Sequence, residues 1–145
     1  MSVAAFVPGC ARSSNFEPID AEVIRWGSSF GMCAGYCREE LEITSDRVRL
    51  TRTGWDAGQF PPRVEERSIT EAQWNALRSR VEQGDILTLD SIHGCPDCAD
   101  GGAEWVEVQT NDRRRRVTFE FGRGPGELQP VLALLRPLRA TFPPR

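Results

Sequence analysis

Glu40-Leu41-Glu42-Ile43-Thr44-Ser45-Asp46-Arg47-Val48-Arg49-Leu50-Thr51-Arg52-Thr53 is the stretch that decides the fold. Apolar and polar residues alternate on both sides of Ser45-Asp46, the period of a strand with one buried face, and the central pair is turn chemistry. The stretch therefore predicts two strands, Glu40 to Thr44 and Arg47 to Thr53, joined tightly and running antiparallel. Working outward, Ala21 to Trp26 alternates as a first strand that ends in the small residues Gly27-Ser28-Ser29. On the other side a loop with Gly54, Gly58, Pro61 and Pro62 leads to a fourth strand, Val64 to Ile69. Thr70 then caps a helix, with Gln73 completing a capping box and Ile69 stapling to Trp74. Trp74, Leu77 and Val81 make its buried stripe, and Gly84 is expected to supply the left-handed stop. Glu104 to Thr110 and Arg115 to Phe121 alternate around Asn111-Asp112 as a second hairpin. A last helix, Leu128 to about Ala140, aligns Leu128, Val131, Leu132, Leu135 and Leu138, and Pro137 is expected to kink it or end it early. Hairpins accompanied by helices imply an α+β fold: an antiparallel sheet of about five to six strands with two helices packed on one face.

Composition removes several functions. All 18 basic residues are arginine, so neither a phosphate-loop lysine nor a Schiff base can be built. A single histidine, His93, rules out histidine pairs and multi-histidine metal centres. Carboxylates, thiols and one imidazole remain as reactive groups. With 21 acidic residues the net charge is −3, which gives no global attraction to nucleic acid or to anionic lipid. No apolar run approaches the roughly 20 residues that cross a bilayer.

The five cysteines carry most of the remaining information. Val7-Pro8-Gly9-Cys10 resembles a bacterial lipobox, with Cys10 as the lipidated residue. Met1 to Val7 is too short for a complete signal peptide, which a start codon placed too far downstream would explain. On that reading residues 1–16 are a signal-peptide remnant and tether, and residues 17–145 form one α+β domain; the competing reading is a cytoplasmic start with a lone structural cysteine. The other four form the pairs Cys33-Ala34-Gly35-Tyr36-Cys37 and Cys95-Pro96-Asp97-Cys98. As disulfides they allow three connectivities. In the chain-entropy model, crosswise bridges closing a loop of about 60 residues stabilise by roughly 4 kcal/mol against about 2 for local ones. As thiolates, Cys33, Cys37, Cys95 and Cys98 would instead hold zinc in a cytoplasmic module. A third reading takes Cys95-Pro96-Asp97-Cys98 as a thiol redox site, which needs a helix after Cys98 to favour the thiolate. Ala99-Asp100-Gly101-Gly102 argues against that helix.

Other candidates weigh less. Asp97, Asp100 and Glu104 offer oxygens for calcium but lack the EF-hand spacing, and read better as turn residues with Glu104 on an exposed strand edge. Arg113 to Arg116 could grip an acidic partner, though at a hairpin tip a solvated turn paired with neighbouring acids is the plainer reading. Without aromatic interleaving, nucleic-acid binding is not expected. Gly122-x-Gly124-x-Gly126 has the wrong spacing for a dinucleotide loop. Trp55, in a glycine-rich loop, is either an exposed binding aromatic or a core cap.

Phe30-Gly31-Met32-Cys33-Ala34-Gly35-Tyr36-Cys37 resembles the Cys-x-Gly-x-Cys signature of a family of uncharacterised bacterial lipoprotein-like domains. The likeness extends in outline over Ala21 to Phe142, with Arg38 standing where family members commonly have proline. It implies an exported domain of unknown function with no assigned catalytic residue and no cofactor. Together with the spacing, it favours the local bridges Cys33 to Cys37 and Cys95 to Cys98. The expectation is thus a non-enzymatic domain of the cell envelope, touching the membrane only through lipid at Cys10 and acting by surface binding, with a protein as one candidate partner and no partner identified. Its expected surface is the His93 to Gly102 loop with the facing Phe30 to Cys37 segment, with His93, Asp97, Asp100 and Trp55 as candidate contacts.

Overall fold

The alternation around Ser45-Asp46 forms the expected hairpin: β2 (Arg38–Ile43) and β3 (Arg47–Thr53) pair with Leu41 opposite Leu50 and Ile43 opposite Val48. The computed structural model describes residues 18–144, so Cys10 and the whole of the expected remnant and tether lie outside the described residues. At the centre of the sheet β1 (Val23–Ser29) sets Ile24 beside Ile43 and Val108, and Trp26 beside Leu41 and Val106. These side chains share one face, and α1 (Glu71–Gly84) and α2 (Gln129–Ala140) cover it with Trp74, Leu77, Val81, Val131, Leu132 and Leu135 in a single buried cluster. The α+β class and the two covering helices stand as expected.

The sheet has seven strands, in the order β4-β3-β2-β1-β6-β7-β5. Beyond those already placed are β4 (Arg63–Ser68), β6 (Ala103–Gln109), β7 (Arg114–Glu120) and the two-residue β5 (Ile92–His93). Only β5 runs parallel to its neighbour, β7. It is the strand that exceeds the expected five to six, because two residues are too few to carry a period.

Three local expectations are corrected. Gly27-Ser28-Ser29 continues β1 instead of ending it, because small residues are needed there: a Cβ at Gly27 would lie 2.1 Å from Trp105 Cζ2. The left-handed residue after α1 is Asp85, at φ 45°, while Gly84 stays helical and lets Glu127 O approach to 2.5 Å from where its Cβ would be. Pro137 sits inside α2, which runs on to Ala140. The Thr70–Gln73 capping box forms as expected.

Charged residues at one end of the core-facing rows join α2 to the sheet. Glu104, on β6 in line with Val106 and Val108, is 1% exposed and lies under the helix, where an exposed strand edge was expected. Arg136 holds it through two bonds, of 3.1 and 2.9 Å, and Trp26 Nε1 (2.7 Å) and Gly122 N (2.9 Å) donate to it as well. Glu39 takes two 2.7 Å bonds from Arg139 and a third from Arg52, whose guanidinium also reaches Glu65 and Pro143 O. On the uncovered face Glu107 sits among Arg25, Arg114 and Arg116, with N–O distances of 3.0, 2.7 and 2.7 Å. Burial alone would raise the Glu107 pKa, but hydrogen bonds and charge from Arg114 and Arg116 outweigh it and hold the carboxyl below its ordinary value. The same contact raises the pKa of the Arg114 guanidinium.

Candidate functional site

Strand direction gathers the long loops at one end. β1, β3, β5 and β7 finish there and β2, β4 and β6 begin there, so segments 30–37, 54–62, 94–102 and 121–125 emerge side by side. The tight turns of both hairpins occupy the other end, about 20 Å away along seven-residue strands. The described chain also begins at that far end, where Pro18, Ile19 and Asp20 border the Thr110 to Arg113 turn and Glu22 N donates to Gln109 O at 2.9 Å.

At the loop end the cysteines pair locally. Sulfur atoms of Cys33 and Cys37 lie at disulfide distance with Cα atoms 5.6 Å apart, and those of Cys95 and Cys98 likewise at 5.5 Å. A shared zinc site would need all four thiols around one ion. Among the described residues no group of three or more His, Cys, Asp or Glu side chains converges in that way. The calcium trio is likewise divided, since Glu104 is taken up beneath α2 while Asp97 turns to backbone amides. After Cys98 comes a three-residue 3-10 turn, Cys98–Asp100, with Ala99 at φ 51° and Asp100 at φ 58°. That is not the regular helix a thiol redox site needs at this position, and the carboxylates of Asp97, Asp100 and Glu120 nearby would oppose a negative thiolate.

Asp97 fastens two loops together. Its Oδ1 accepts from Gly102 N at 3.2 Å within its own loop and from Gly31 N at 3.4 Å in the facing one. Gly102 O in turn accepts from Asp97 N and Phe121 N, at 3.0 and 3.1 Å. Gly102 has φ +84°, and a Cβ there would fall 2.3 Å from the Phe30 ring, so only glycine lets the ring lie down at this place. Phe30 packs against Phe121 at a tilt of 59° with 4.9 Å between centroids, and its carbonyl accepts from Trp55 Nε1 at 3.0 Å. Tyr36 meets Phe60 edge to face at 5.7 Å and donates to Pro61 O.

Trp55 (60% exposed) and Phe121 (44%) therefore form the outward side of a surface built on Phe30, with Met32 (79%) exposed two residues further along the same loop. Trp55 is an exposed aromatic and not a core cap. A cleft of about 380 Å³ between the Cys95–Cys98 bridge, Phe121 and Arg123 borders this surface, and a hollow of about 270 Å³ lined by His93, Gly94, Glu120, Arg123 and Pro125 adjoins it. His93 lies on β5 with Nε2 buried and without a hydrogen-bond partner among the described residues. Asp100 is exposed.

The chain matches no family model, and no curated protein matches it.

Of the candidate contacts, Asp97 and Trp55 bond to the Phe30 to Cys37 segment, at Gly31 N and Phe30 O, while Asp100 is exposed in the bridged loop and His93 lines the adjoining hollow. Phe121 is the addition from the structure, and Phe30 and Met32 are the members of the expected segment that carry its apolar surface. The four-arginine run does not belong to the surface: Arg114 and Arg116 bind Glu107, Arg115 donates to Leu89 O, and Arg113 lies 3.7 Å from Asp112. Nor does the apolar groove of about 240 Å³ between α1 and α2, which no charged side chain lines.

Proposed function

We propose that this chain is a non-enzymatic, lipid-tethered domain of the bacterial cell envelope that docks a protein through the Met32–Trp55–Phe121 surface. The observation that carries this reading is the opposition of the two ends: the described chain begins about 20 Å of strand away from the bridged loops. A lipid on Cys10 would join the domain to the membrane through the end opposite the aromatic surface. Local charge supports a protein occupant over lipid, because the loops around the aromatics carry exposed Asp56, Asp97 and Asp100 against Arg123, a negative balance that anionic headgroups would oppose. An apolar segment flanked by basic residues fits best. Two short bridges hold the loops in place, which lowers the entropic cost of binding.

The test uses the full chain behind an export signal, with a photo-crosslinking residue at Met32 or, as a control, at Asp112 in the opposite turn. Membrane fractionation that Cys10→Ser abolishes, with one defined protein captured from position 32, none from position 112, and capture lost in Trp55→Ala, is the expected result. Retained zinc, with four thiols that alkylate only after chelation, would replace this reading with the metal module.

A further inference from the structure

We infer that the Cys95–Cys98 bridge is a redox-operated clamp on the aromatic surface, opened by a dithiol reductant. As regulation of docking this rests on the reading above; as a change in loop geometry it does not, and the test below reads the geometry.

Accessibility separates the two bridges. Cys95 and Cys98 are both exposed, whereas Cys37 is 1% exposed and Cys33 half-buried. A thiolate can therefore reach either sulfur of the first bridge but only the Cys33 side of the second. In the exchange, one thiolate of the reductant attacks a cysteine sulfur and the other cysteine sulfur leaves. The reductant's second thiolate then attacks its own sulfur in the mixed disulfide, closes the reductant's disulfide and releases the remaining cysteine as a thiolate that takes up a proton. Two electrons and two protons pass from the dithiol, leaving Cys95 and Cys98 as thiols and the reductant as a disulfide.

The bridge closes around Asp97, the residue that ties the loops together. Within or beside it Asp97, Ala99 and Asp100 hold φ values of 59°, 51° and 58°, a region unfavourable to residues with a Cβ. Once the bond is cut, those residues can relax out of it, and Asp97 Oδ1 moves away from Gly31 N and Gly102 N. Gly102 supports the Phe30 ring, and Phe30 in turn carries Phe121 and accepts from Trp55, so loosening passes from the bridge to the exposed aromatics through contacts already described. Closed, the clamp presents the surface in one arrangement; open, it releases it.

The experiment titrates the whole protein with dithiothreitol, mapping alkylated cysteines by mass spectrometry and following amide hydrogen exchange in the same samples. Cys95 and Cys98 should alkylate at reductant concentrations that leave Cys33 and Cys37 bridged. Exchange at Gly31 and Gly102 should then rise by roughly tenfold or more, the scale of losing one hydrogen bond to a charged group, with amides of β1 and β6 unchanged. Asp97→Ala should produce the same loosening without reductant while Asp97→Asn, which keeps an acceptor and tolerates the left-handed conformation, should not. The double variant Cys95→Ala/Cys98→Ala should be loosened from the outset and indifferent to dithiothreitol. Unchanged exchange at Gly31 and Gly102 after Cys95–Cys98 opens, in either the reduced protein or the double variant, overturns the clamp. So does simultaneous reduction of both bridges.

Discussion

The two faces of the sheet use the same chemistry, carboxylate against guanidinium, in different surroundings. Beneath α2, Glu39 and Glu104 are held by Arg52, Arg136 and Arg139, and the two carboxylates keep 3% and 1% of their side-chain surface. On the open face Glu107 also keeps 3%, yet what covers it is a layer of arginine side chains alone, Arg114 well exposed and Arg116 about a third exposed, where over Glu104 a helix lies and Arg136 is the exposed partner. Low accessibility under a helix means a charge far from water, whereas low accessibility under long, flexible arginines means a charge near water and screened by it. Removing a partner should be costly on the first face and mild on the second.

The sharpest break is Arg136→Met. It leaves Glu104 buried and charged with only Trp26 Nε1 and Gly122 N for support, and should cost about 3 kcal/mol in a denaturant titration, seen as a lower midpoint at constant slope. Next comes a steric break on the open face. Gly27→Ala pushes a methyl into Trp105, which Arg38 and Arg116 hold between them at 4.8 and 5.1 Å, and overpacking there should cost about 2 kcal/mol. A smaller loss, about 1 kcal/mol at neutral pH, is expected for Glu107→Gln, since amide oxygen still accepts from the exposed arginines.

That last variant also sharpens the comparison through pH. The Glu107 pKa is lowered from its ordinary 4.5, so its contribution is present above that value and is lost as pH falls through the lower, folded pKa. Stability curves of the wild type and Glu107→Gln should therefore run apart near neutral pH and converge below 4.5, and parallel curves would sink the assignment. The mildest change is Arg49→Ala. Arg49 and Glu66 are both substantially exposed, and breaking their pair should shift stability by no more than about 0.5 kcal/mol.

Much of the architecture was legible because one-sided burial leaves a period. Leu41, Ile43, Val48 and Leu50 announced the hairpin, Val106 and Val108 with Val117 and Phe119 the second one, and Thr70 with Gln73 the start of α1. What broke the period was misread for a physical reason each time. Gly27 and Ser28 look like an ending because small side chains carry no pattern, yet Gly27 is small to make room for Trp105 from the neighbouring strand. Glu104 looks solvent-facing because a charged residue in a strand usually is; its arginine partner lies 32 positions along the chain. The candidate surface was half legible: loop composition marked Trp55, the cysteine pairs and the Phe30 to Cys37 segment, whereas Phe121, at the end of a strand, joins Phe30 only because the sheet brings the two segments together.

By itself, then, the sequence determined the α+β class, six of the seven strands, both helices and the absence of lysine chemistry, because these depend on near neighbours or on composition alone. Tertiary structure alone decided the burial of Glu39 and Glu104 beneath α2 and the meeting of Asp97 with Gly31. Those depend on which residues far apart in the chain arrive at one end of the sheet, and strand order, which no local period encodes, is what sets that.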